Sequence, residues 1–339
     1  MRKILIITAV LIVALQTVGF SQGLIWNSQV IKRPDGAMIY KIDEGGSFES
    51  PTWLSDDKQV LFTIAVGGYE NDYSNLYTLD VKTSETRQLT QERNMRISTE
   101  NAQLLLEDSI LFTVETNEQS KVRELLVLEN DKTTDYVVVK EDHKYGSNQI
   151  WHPSLSPDKQ WLVYDAPSGE TLIDGTKIHQ IYKRSFETGE VVQLTSGLSQ
   201  KRRPRWSPDG YILSYEQYDG QFREWSLYIT DFNGRHHRRF TEGMGDETFG
   251  SFSPDGQWLV YTTDEAVDGE ELAKNKLMIQ GLYNGKLIQL TEGDFFDTKP
   301  SWSPTGAFIV FQSSPKDPHD YEKSWLVIIP KPEEIELMK

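Results

Sequence analysis

The chain has 339 residues, no cysteine and a formal net charge of −16 at pH 7, with 35 basic and 51 acidic side chains. The lack of cysteine excludes disulfides, zinc–thiolate sites and cysteine nucleophiles, and it leaves no N-terminal cysteine for a lipid anchor. The acidic balance disfavours nucleic acid as a partner, because the phosphate backbone would be repelled.

The N-terminal segment has the pattern of a secretory signal peptide. Arg2 and Lys3 form a positive n-region, residues 4–15 form an apolar core, and Gly and Ser in residues 19–21 suit a signal peptidase. The uninterrupted apolar run is short for a membrane span. We therefore predict that residues 1–21 are a cleaved signal peptide. The mature protein would be periplasmic or secreted, with no membrane span.

A ten-residue phrase recurs about every fifty residues through the rest of the chain. Its best copy is residues 206–215 (WSPDGYILSY), and the copies start at Trp53, Gln103, Leu155, Trp206, Phe252 and Trp302. Pro-Asp-Gly is turn chemistry, and the flanking aromatic and β-branched residues suit strands. Each copy thus predicts a strand, a tight turn and a second strand. A period this regular indicates a repeat architecture.

A second pair of strands is predicted downstream of most copies. In the fourth unit residues 227–230 precede residues 238–241, with the turn signal Asn233-Gly234 between them. This gives four antiparallel strands in each of six units. Because one such sheet cannot bury both of its faces alone, radial stacking of the sheets is predicted. The predicted fold is an all-β, six-bladed β-propeller of four-stranded antiparallel blades, and a β-sandwich is the structural alternative.

The predicted domain boundaries follow from the repeat. Residues 22–46 are predicted to complete the last blade, because the sixth unit lacks a fourth strand, which either 24–31 or 37–42 could supply. Such pairing would avoid an exposed edge strand. Residues 47–330 are predicted to form the propeller and residues 331–339 a C-terminal tail. We expect a monomer.

The pattern W-S-P-D-G before an aliphatic–aromatic strand, followed by I-Y-x-x-D and x-L-T-x-G, resembles the TolB-like propeller repeat over residues 45–315. Related repeats occur in periplasmic TolB, in propeller domains of prolyl-oligopeptidase-type peptidases and in oligogalacturonate lyases. The resemblance implies the propeller fold and is not specific for a function. TolB also carries an N-terminal α/β domain, for which only about 25 residues are present before the first blade. The resemblance therefore does not predict that this chain binds the lipoprotein partner of TolB.

Patterns for catalysis and metal binding are sparse. Residues 250–253 lack the final glycine of a G-x-S-x-G nucleophile elbow. His236 and His237 are the one adjacent histidine pair, and they fall on a predicted outermost strand, where successive side chains point to opposite faces. Residues 264–271 (DEAVDGEE) lack the alternating ligand spacing of a calcium loop. We therefore predict no catalytic residue, no metal and no cofactor.

The positions just before each phrase are where the repeats disagree, and we predict that they ring the mouth of the central channel. Three residues before the phrases the chain has Ser50, Glu100, His152, Arg203, Phe249 and Lys299, and one residue earlier Glu49, Thr99, Trp151, Arg202, Thr248 and Thr298. The predicted binding residues of this rim are Glu100, Trp151, His152, Arg202, Arg203 and Lys299. Long insertions at 166–180 and 313–324 are predicted to emerge on the same face.

This rim is cationic within an acidic protein, so we predict that it captures a carboxylate or an acidic peptide end, with Arg202 or Arg203 as the fork donor. The alternative is that the rim charges pair with neighbouring acids, namely Glu100, Asp246, Glu247 and Asp297. The leading functional prediction is an exported, non-enzymatic binding module or scaffold for a protein or cell-envelope partner. One alternative is a polysaccharide lyase or hydrolase, similar to oligogalacturonate lyase, which a histidine–acid cluster at the mouth would favour. The other is a sensor of small ligands.

Overall fold

The computed structural model describes residues 25–27, 29–32, 37–41, 46–54, 56–66, 73–90, 96–106, 109–116, 119–126, 133–134, 150–221, 223–243, 245–264, 275–292, 295–314 and 324–337. In these ranges the secondary structure consists of 26 β-strands, without a helix. The same ranges contain no helix with the length and apolar character of a membrane span. The predicted signal peptide and most of 264–271 and 313–324 lie outside the described residues.

The strands pair into antiparallel sheets that follow one another along the chain. Three short strands come first: β1 (Ile25–Asn27), β2 (Gln29–Lys32) and β3 (Met38–Lys41). The first sheet is formed by β4 (Gly46–Trp53), β5 (Gln59–Val66), β6 (Tyr73–Asp80) and β7 (Glu85–Gln88). The second is formed by β8 (Arg96–Leu106), β9 (Ser109–Thr116), β10 (Gln119–Leu126) and β11 (Thr133–Thr134). The third is formed by β12 (Trp151–Leu155), β13 (Trp161–Thr171), β14 (Lys177–Ser185) and β15 (Val191–Gln193).

The remaining sheets repeat this order. The fourth is formed by β16 (Lys201–Trp206), β17 (Ile212–Asp219), β18 (Glu224–Asp231) and β19 (Arg238–Arg239). The fifth is formed by β20 (Glu247–Phe252), β21 (Trp258–Thr263), β22 (Lys276–Gly281) and β23 (Leu287–Gln289). The sixth contains β24 (Phe296–Trp302), β25 (Phe308–Ser314) and β26 (Trp325–Pro330).

The N-terminal strands join the two ends of the chain. β3 pairs with β26, with Tyr40 opposite Leu326, and so becomes the fourth strand of the sixth sheet. β2 extends that sheet by pairing with β3. β1 pairs instead with β7 of the first sheet. Of the two N-terminal stretches considered, residues 37–42 thus contain the strand that completes the last sheet.

The Ser-Pro-Asp-Gly part of the phrase forms the turn from the first to the second strand of a sheet. In the fourth sheet the Gly210 N–H donates to the Ser207 carbonyl (2.9 Å). Gly210 has a φ of 75°, which glycine adopts without steric cost. Asp209 accepts the Ser207 hydroxyl (2.5 Å) and the Tyr211 N–H (3.0 Å). The predicted strand–turn–strand structure of the phrase is therefore confirmed.

The recurrent aromatic residues pack between neighbouring sheets. Trp302 of the sixth sheet lies in one buried cluster with Trp258 and Val260 of the fifth. Trp53, Trp206, Trp258 and Trp302 are each only 6–8 % exposed. Burial of one such side chain contributes roughly 1.5–3 kcal/mol to stability.

The fold is a β-propeller of four-stranded antiparallel blades, as predicted. The predicted number of six blades is not confirmed, since five blades are found. The described strands nevertheless pair into six sheets. The second sheet departs most from the repeat, because the pairing of β8 with β9 shifts register twice. Its phrase, which starts at Gln103, also lacks the Ser-Pro-Asp-Gly turn, so a regular blade is hardest to form there.

Candidate functional site at the channel mouth

The innermost strands β4, β8, β12, β16, β20 and β24 surround a central cavity of about 520 Å³. The backbone φ is positive at the rim position of five of these strands: Ser50 (51°), His152 (48°), Arg203 (51°), Phe249 (58°) and Lys299 (55°). Each coincides with a register shift against the second strand of its sheet. The rim is therefore a series of β-bulges, which change the direction of the side chain. The sixth rim residue, Glu100, lies in β8, and its side chain is outside the described part.

Polar side chains on the second strands bind the bulges of the next sheet. The bonds run from Arg203 N–H to Asp165 (3.1 Å), from Phe249 N–H to Glu216 (2.8 Å) and from Lys299 N–H to Thr262 (3.3 Å). Each bond joins two neighbouring sheets. Two of the three acceptors are buried carboxylates, and each forms the centre of a polar cluster.

Asp165 lies between two imidazole rings. Nδ1 of His152 is 2.7 Å from its Oδ1, and Nδ1 of His179 is 2.9 Å from its Oδ2. Burial alone would raise the pKa of Asp165, but the charges and hydrogen bonds of His152 and His179 lower it to about 2. Asp165 is thus ionised at neutral pH and can only accept, so each histidine donates to it through Nδ1. The Trp151 ring lies beside both, with centroid distances of 6.3 Å and 6.5 Å.

Glu216 binds both of the predicted fork donors. Its Oε2 lies 2.6 Å from Arg202 Nε and 3.2 Å from an Nη of Arg203, and its side chain is 1 % exposed. Burial raises the pKa of Glu216, but the charges of Arg203 and Arg202, with the hydrogen bonds from Phe249 and Arg202, hold it below its usual range. Two guanidinium groups thus share one buried carboxylate.

Aromatic rings hold the cations of the rim in place. The guanidinium carbon of Arg202 lies 3.6 Å from the Trp225 centroid, and that of Arg203 lies 4.4 Å from Phe249. Lys299 Nζ lies 5.7 Å from the same Phe249 ring, within cation–π range. The Arg202 side chain is 30 % exposed. Within the described part of the chain its Nη groups donate no hydrogen bond, so this end of the guanidinium can bind a partner.

The structure distributes the described rim residues over these clusters. Trp151 and His152 lie around Asp165, whereas Arg202 and Arg203 lie around Glu216. Both arginines do pair with an acid, as the alternative expected, but Glu216 was not among the acids that the sequence suggested. Of those, Asp246 accepts the Trp225 N–H (2.8 Å), Asp297 accepts the Ser313 hydroxyl (2.6 Å), and Glu247 lies 3.8 Å from Arg239.

Asp165, Glu216 and His179 were missed by the sequence analysis. The residues that directly follow the phrases are Thr63, Thr113, Asp165, Glu216, Thr262 and Gln312, so two carboxylates replace neutral side chains. Asp165 pairs opposite Trp151, and Glu216 pairs opposite Arg202. Counting one residue beyond each phrase would therefore have found both acids.

His179 was missed for a different reason, since residues 166–180 were predicted to be a loop insertion. They are instead an extension of the β13–β14 hairpin, in which β13 continues to Thr171 and β14 begins at Lys177. His179 lies in β14 opposite Pro167, two residues beyond Asp165 on β13. The hairpin thus brings a second imidazole to the same carboxylate.

His236 and His237 lie just before β19 and not on it, which corrects the prediction. Nδ1 of His236 is 2.9 Å from an Asp231 oxygen. His237 contacts the Tyr215 hydroxyl (3.0 Å) and the Gly234 carbonyl (2.9 Å). The two rings therefore have separate partners. Across the described ranges, no group of three or more His, Asp or Glu side chains is arranged to hold a metal ion.

Sequence comparison gives distant relatives without an established function. No known family profile matches the chain. An uncharacterised protein of Agrobacterium fabrum is 22 % identical over 265 residues, which cover 76 % of this chain and 82 % of that protein. An uncharacterised peptidase of Bacillus subtilis is 26 % identical over 204 residues, which cover 51 % of this chain and 31 % of the peptidase. The chain thus spans less than a third of the peptidase.

Structural comparison gives propeller proteins. TolB from Acinetobacter baumannii has a TM-score of 0.59 at 17 % identity, covering 82 % of this chain and 64 % of TolB, so this chain spans less than two thirds of that protein. A putative TolB from Agrobacterium tumefaciens has a TM-score of 0.60 at 16 % identity, and the match covers 87 % of this chain and 94 % of that protein. An oligogalacturonate lyase from Vibrio parahaemolyticus has a TM-score of 0.57 at 14 % identity, and the match covers 93 % of this chain and 100 % of the lyase. Since likeness at these identities shows the fold alone, the chain is a β-propeller similar in fold to TolB and TolB-like proteins.

Proposed function

We propose that the protein is an exported, non-enzymatic binding module, a six-bladed propeller that captures a carboxylate or an acidic peptide end of a protein or cell-envelope partner. The observation that carries this proposal is the fixed, partly exposed position of the Arg202 guanidinium. Glu216 and Trp225 fix its position, and its Nη groups have no hydrogen-bond partner among the described residues. A guanidinium fixed in this way loses little freedom on binding, and its planar fork matches a carboxylate.

The overall negative charge of the chain does not oppose this function. At physiological salt, exposed charges farther apart than about 8 Å are largely screened. A partner at the mouth is therefore affected mainly by the charges close to it, among them the partly exposed guanidinium of Arg202. The acidic remainder of the surface would disfavour anionic partners elsewhere, which directs such a partner to the mouth. The proposals of export and of six blades rest on the signal pattern of residues 1–21 and on the six paired sheets.

Replacing Arg202 with alanine is expected to weaken this binding about tenfold or more, because charge-assisted hydrogen bonds to the partner are lost. The fold should survive, since Arg203 still pairs with Glu216. Fluorescence anisotropy with a labelled hexapeptide that ends in two glutamates and a free carboxylate measures the effect. The matched control is Arg235→Ala, which removes an exposed arginine outside the rim and should leave the affinity unchanged.

Affinity capture from a cell-envelope extract extends this test to the natural partner. Wild-type protein should retain a partner that Arg202→Ala/Arg203→Ala loses and Arg235→Ala keeps. If the double variant is as stable as wild type and binds the peptide and the envelope partner equally well, the rim does not have this function.

A second candidate function is favoured by one observation, the histidine–acid cluster at the mouth. Asp165 accepts from Nδ1 of His152 and from Nδ1 of His179, and so fixes the orientation of both rings. An imidazole oriented by a carboxylate is the arrangement of a general base. The candidate is a polysaccharide lyase or hydrolase that acts at the central channel, for which the fold similarity to oligogalacturonate lyase is no evidence by itself.

An assay with oligogalacturonate separates the two candidates. For the binding module we expect no unsaturated product in ultraviolet absorbance and no new reducing ends. For an enzyme, His152→Gln and His179→Gln should each lower the rate by roughly 10²–10⁴-fold, whereas the exposed His236→Gln should not. Product formation that depends on His152 or His179 would replace the first proposal with the second.

A further inference from the structure

We propose that the protein forms a two-fold symmetric dimer through the face opposite the channel mouth. Each innermost strand begins near the rim and ends at the turn of its phrase, so the phrase turns lie on this opposite face, which we call the turn face. The surface that carries the proposal is a strip of exposed side chains on the turn face, from the fourth sheet to the sixth. The inference does not depend on the function proposed for the rim, because no rim residue belongs to the strip.

Hydrogen bonds place the three parts of the strip on the turn face. The residue directly after the Gly of each phrase accepts a backbone bond from a later segment of the chain. In the fourth and fifth sheets that segment is the turn between the last two strands, and in the sixth it is the C-terminal segment after β26. The bonds run from Phe232 N–H to Tyr211 (3.0 Å), from Leu282 N–H to Gln257 (2.8 Å) and from Lys331 N–H to Ala307 (2.9 Å).

The centre of the strip is apolar and belongs to the fifth sheet. Tyr283 and Leu287, at the turn between β22 and β23, are 66 % and 55 % exposed. Exposed aromatic and apolar side chains that lie together mark interaction surfaces, and tyrosine is enriched at the centre of protein interfaces. The centre of the strip thus has the composition of a protein contact.

One end of the strip is basic and lies on the fourth sheet. Arg235 and Arg238 are exposed, and residues 232–241 contain no acid. The Asp231 carboxylate accepts the Arg235 N–H (2.9 Å), so the turn is fixed without use of the Arg235 guanidinium. An Nη of Arg238 donates to the Leu282 carbonyl (3.4 Å), directly before the exposed Tyr283. The basic end therefore adjoins the apolar centre.

The other end of the strip is acidic and lies on the C-terminal segment beside the sixth sheet. Ile335 is fully buried in the core between the fifth and sixth sheets, which anchors this segment. Lys286 Nζ, one residue before Leu287, donates to a carbonyl of the segment (3.3 Å), so the acidic end adjoins the apolar centre from the other side. The exposed acids are Glu333, Glu334 and Glu336.

A strip with a basic end, an apolar centre and an acidic end is complementary to itself. A two-fold axis through the centre places the basic end of each copy on the acidic end of the other, which is the self-complementarity that a symmetric dimer requires. At physiological salt, exposed charges more than about 8 Å apart are largely screened, so the net charge of −16 does not keep the copies apart. Both mouths face away from this interface, so dimerisation leaves the rim accessible. The dimer takes the place of the monomer expected from the sequence.

Sedimentation equilibrium of the full chain at about 0.15 M salt tests the proposal. We expect a monomer–dimer equilibrium with a dissociation constant on the order of 10 µM, as for a small interface, and no larger species. A protein that stays monomeric up to about 100 µM overturns the proposal. Association beyond the dimer also overturns it, because a contact that does not close on itself builds open chains.

Charge reversal tests the arrangement of the two copies. Arg235→Glu/Arg238→Glu makes both ends acidic, and Glu333→Arg/Glu334→Arg makes both ends basic. Each double variant alone should dimerise at least about tenfold more weakly, because like charges then face each other. An equimolar mixture of the two variants should dimerise as the wild type does, since both end-to-end contacts are again of opposite sign. The control Lys177→Glu/Arg223→Glu makes the same change in net charge with exposed cations on the mouth side, and should dimerise normally.

A variant of the apolar centre keeps the test independent of the charges. Leu287→Ser should weaken dimerisation about tenfold, whereas Leu198→Ser, which removes a 68 % exposed leucine on the mouth side, should not. Thermal unfolding at a concentration well below the dissociation constant checks that each variant is folded. A folded Leu287→Ser that dimerises as tightly as wild type overturns the proposal. So does a mixture of the two charge-reversed variants that remains monomeric.

Discussion

Glu216→Ala is expected to destabilise the propeller by about 3–5 kcal/mol, the usual effect of removing one partner of a buried ion pair. Glu216 is the shared anion of Arg202 and Arg203 and the acceptor for the Phe249 N–H of the next sheet. The substitution removes the acceptor that the Phe249 N–H and the two guanidinium groups share. Urea unfolding followed by far-ultraviolet circular dichroism measures the free energy of unfolding.

Two further variants show which part of Glu216 matters. Glu216→Gln keeps an oxygen for the Phe249 N–H but removes the charge, so its effect should be intermediate. Glu242→Ala removes an exposed acid in the loop between β19 and β20 and should change stability by less than about 0.5 kcal/mol. A loss below about 1 kcal/mol for Glu216→Ala would mean that the carboxylate does not hold the two sheets together.

The same cluster predicts acid sensitivity. The folded-state pKa of Glu216 is depressed, and that of Asp165 is about 2, against usual values of 4.5 and 3.8. A depressed carboxyl pKa contributes stability that is present above the unfolded-state value and is lost as pH falls through the folded-state value. The free energy of unfolding should therefore decrease from about pH 4.5 downward. Glu216→Gln should make that decrease with falling pH less steep.

Trp206→Ala is expected to cost about 3–5 kcal/mol, because it removes a large side chain from a packed core. Trp206 is 8 % exposed, packs with Leu194 and Leu213, and donates from Nε1 to the Ser154 carbonyl of the preceding sheet. Trp302→Ala should have a similar effect, since Trp302 is 6 % exposed at the equivalent position. Urea unfolding again gives the magnitudes.

Phenylalanine variants separate packing from hydrogen bonding at this position. Trp206→Phe loses the bond to Ser154, whereas Trp302 Nε1 has no partner among the described residues. Trp206→Phe should therefore cost about 0.5–1.5 kcal/mol more than Trp302→Phe. Tyr211→Ala removes a ring that is 74 % exposed and is the control for loss of an aromatic side chain outside the core. Equal effects of Trp206→Ala and Tyr211→Ala would contradict the assignment of the motif tryptophan to the core.

The sequence was sufficient for the propeller because its evidence is local and repeated. The turn of Ser207 to Gly210 forms within four residues, and its recurrence implies similar sheets. The second unit was harder to predict, since its phrase is the least regular. The two ends of the chain are joined by the pairing of Tyr40 with Leu326. Local patterns cannot decide which of the two candidate N-terminal stretches supplies that strand.

The partners of the candidate rim residues were not predicted from the sequence. Glu216, which pairs with Arg202 and Arg203, lies on the second strand, opposite Arg202. The Arg203 N–H bonds Asp165 across two sheets, over a separation of 38 residues. Such contacts depend on how neighbouring sheets pack, which the repeat does not encode. The polar residue after each phrase is the one local signal that would have identified them.

The bulges of the rim have a consequence for the stability of the whole protein. Five non-glycine residues there have a left-handed backbone, at φ between 48° and 58°. For an L-residue with a side chain this conformation costs roughly 1–2 kcal/mol, so the five together cost about 5–10 kcal/mol. That sum is comparable to the net stability of a typical domain, about 5–15 kcal/mol. Glycine would remove the strain at each position, yet the chain places side chains there. Glycine substitutions at the ring of bulges should therefore raise stability, but they would remove the side chains on which the proposed binding depends.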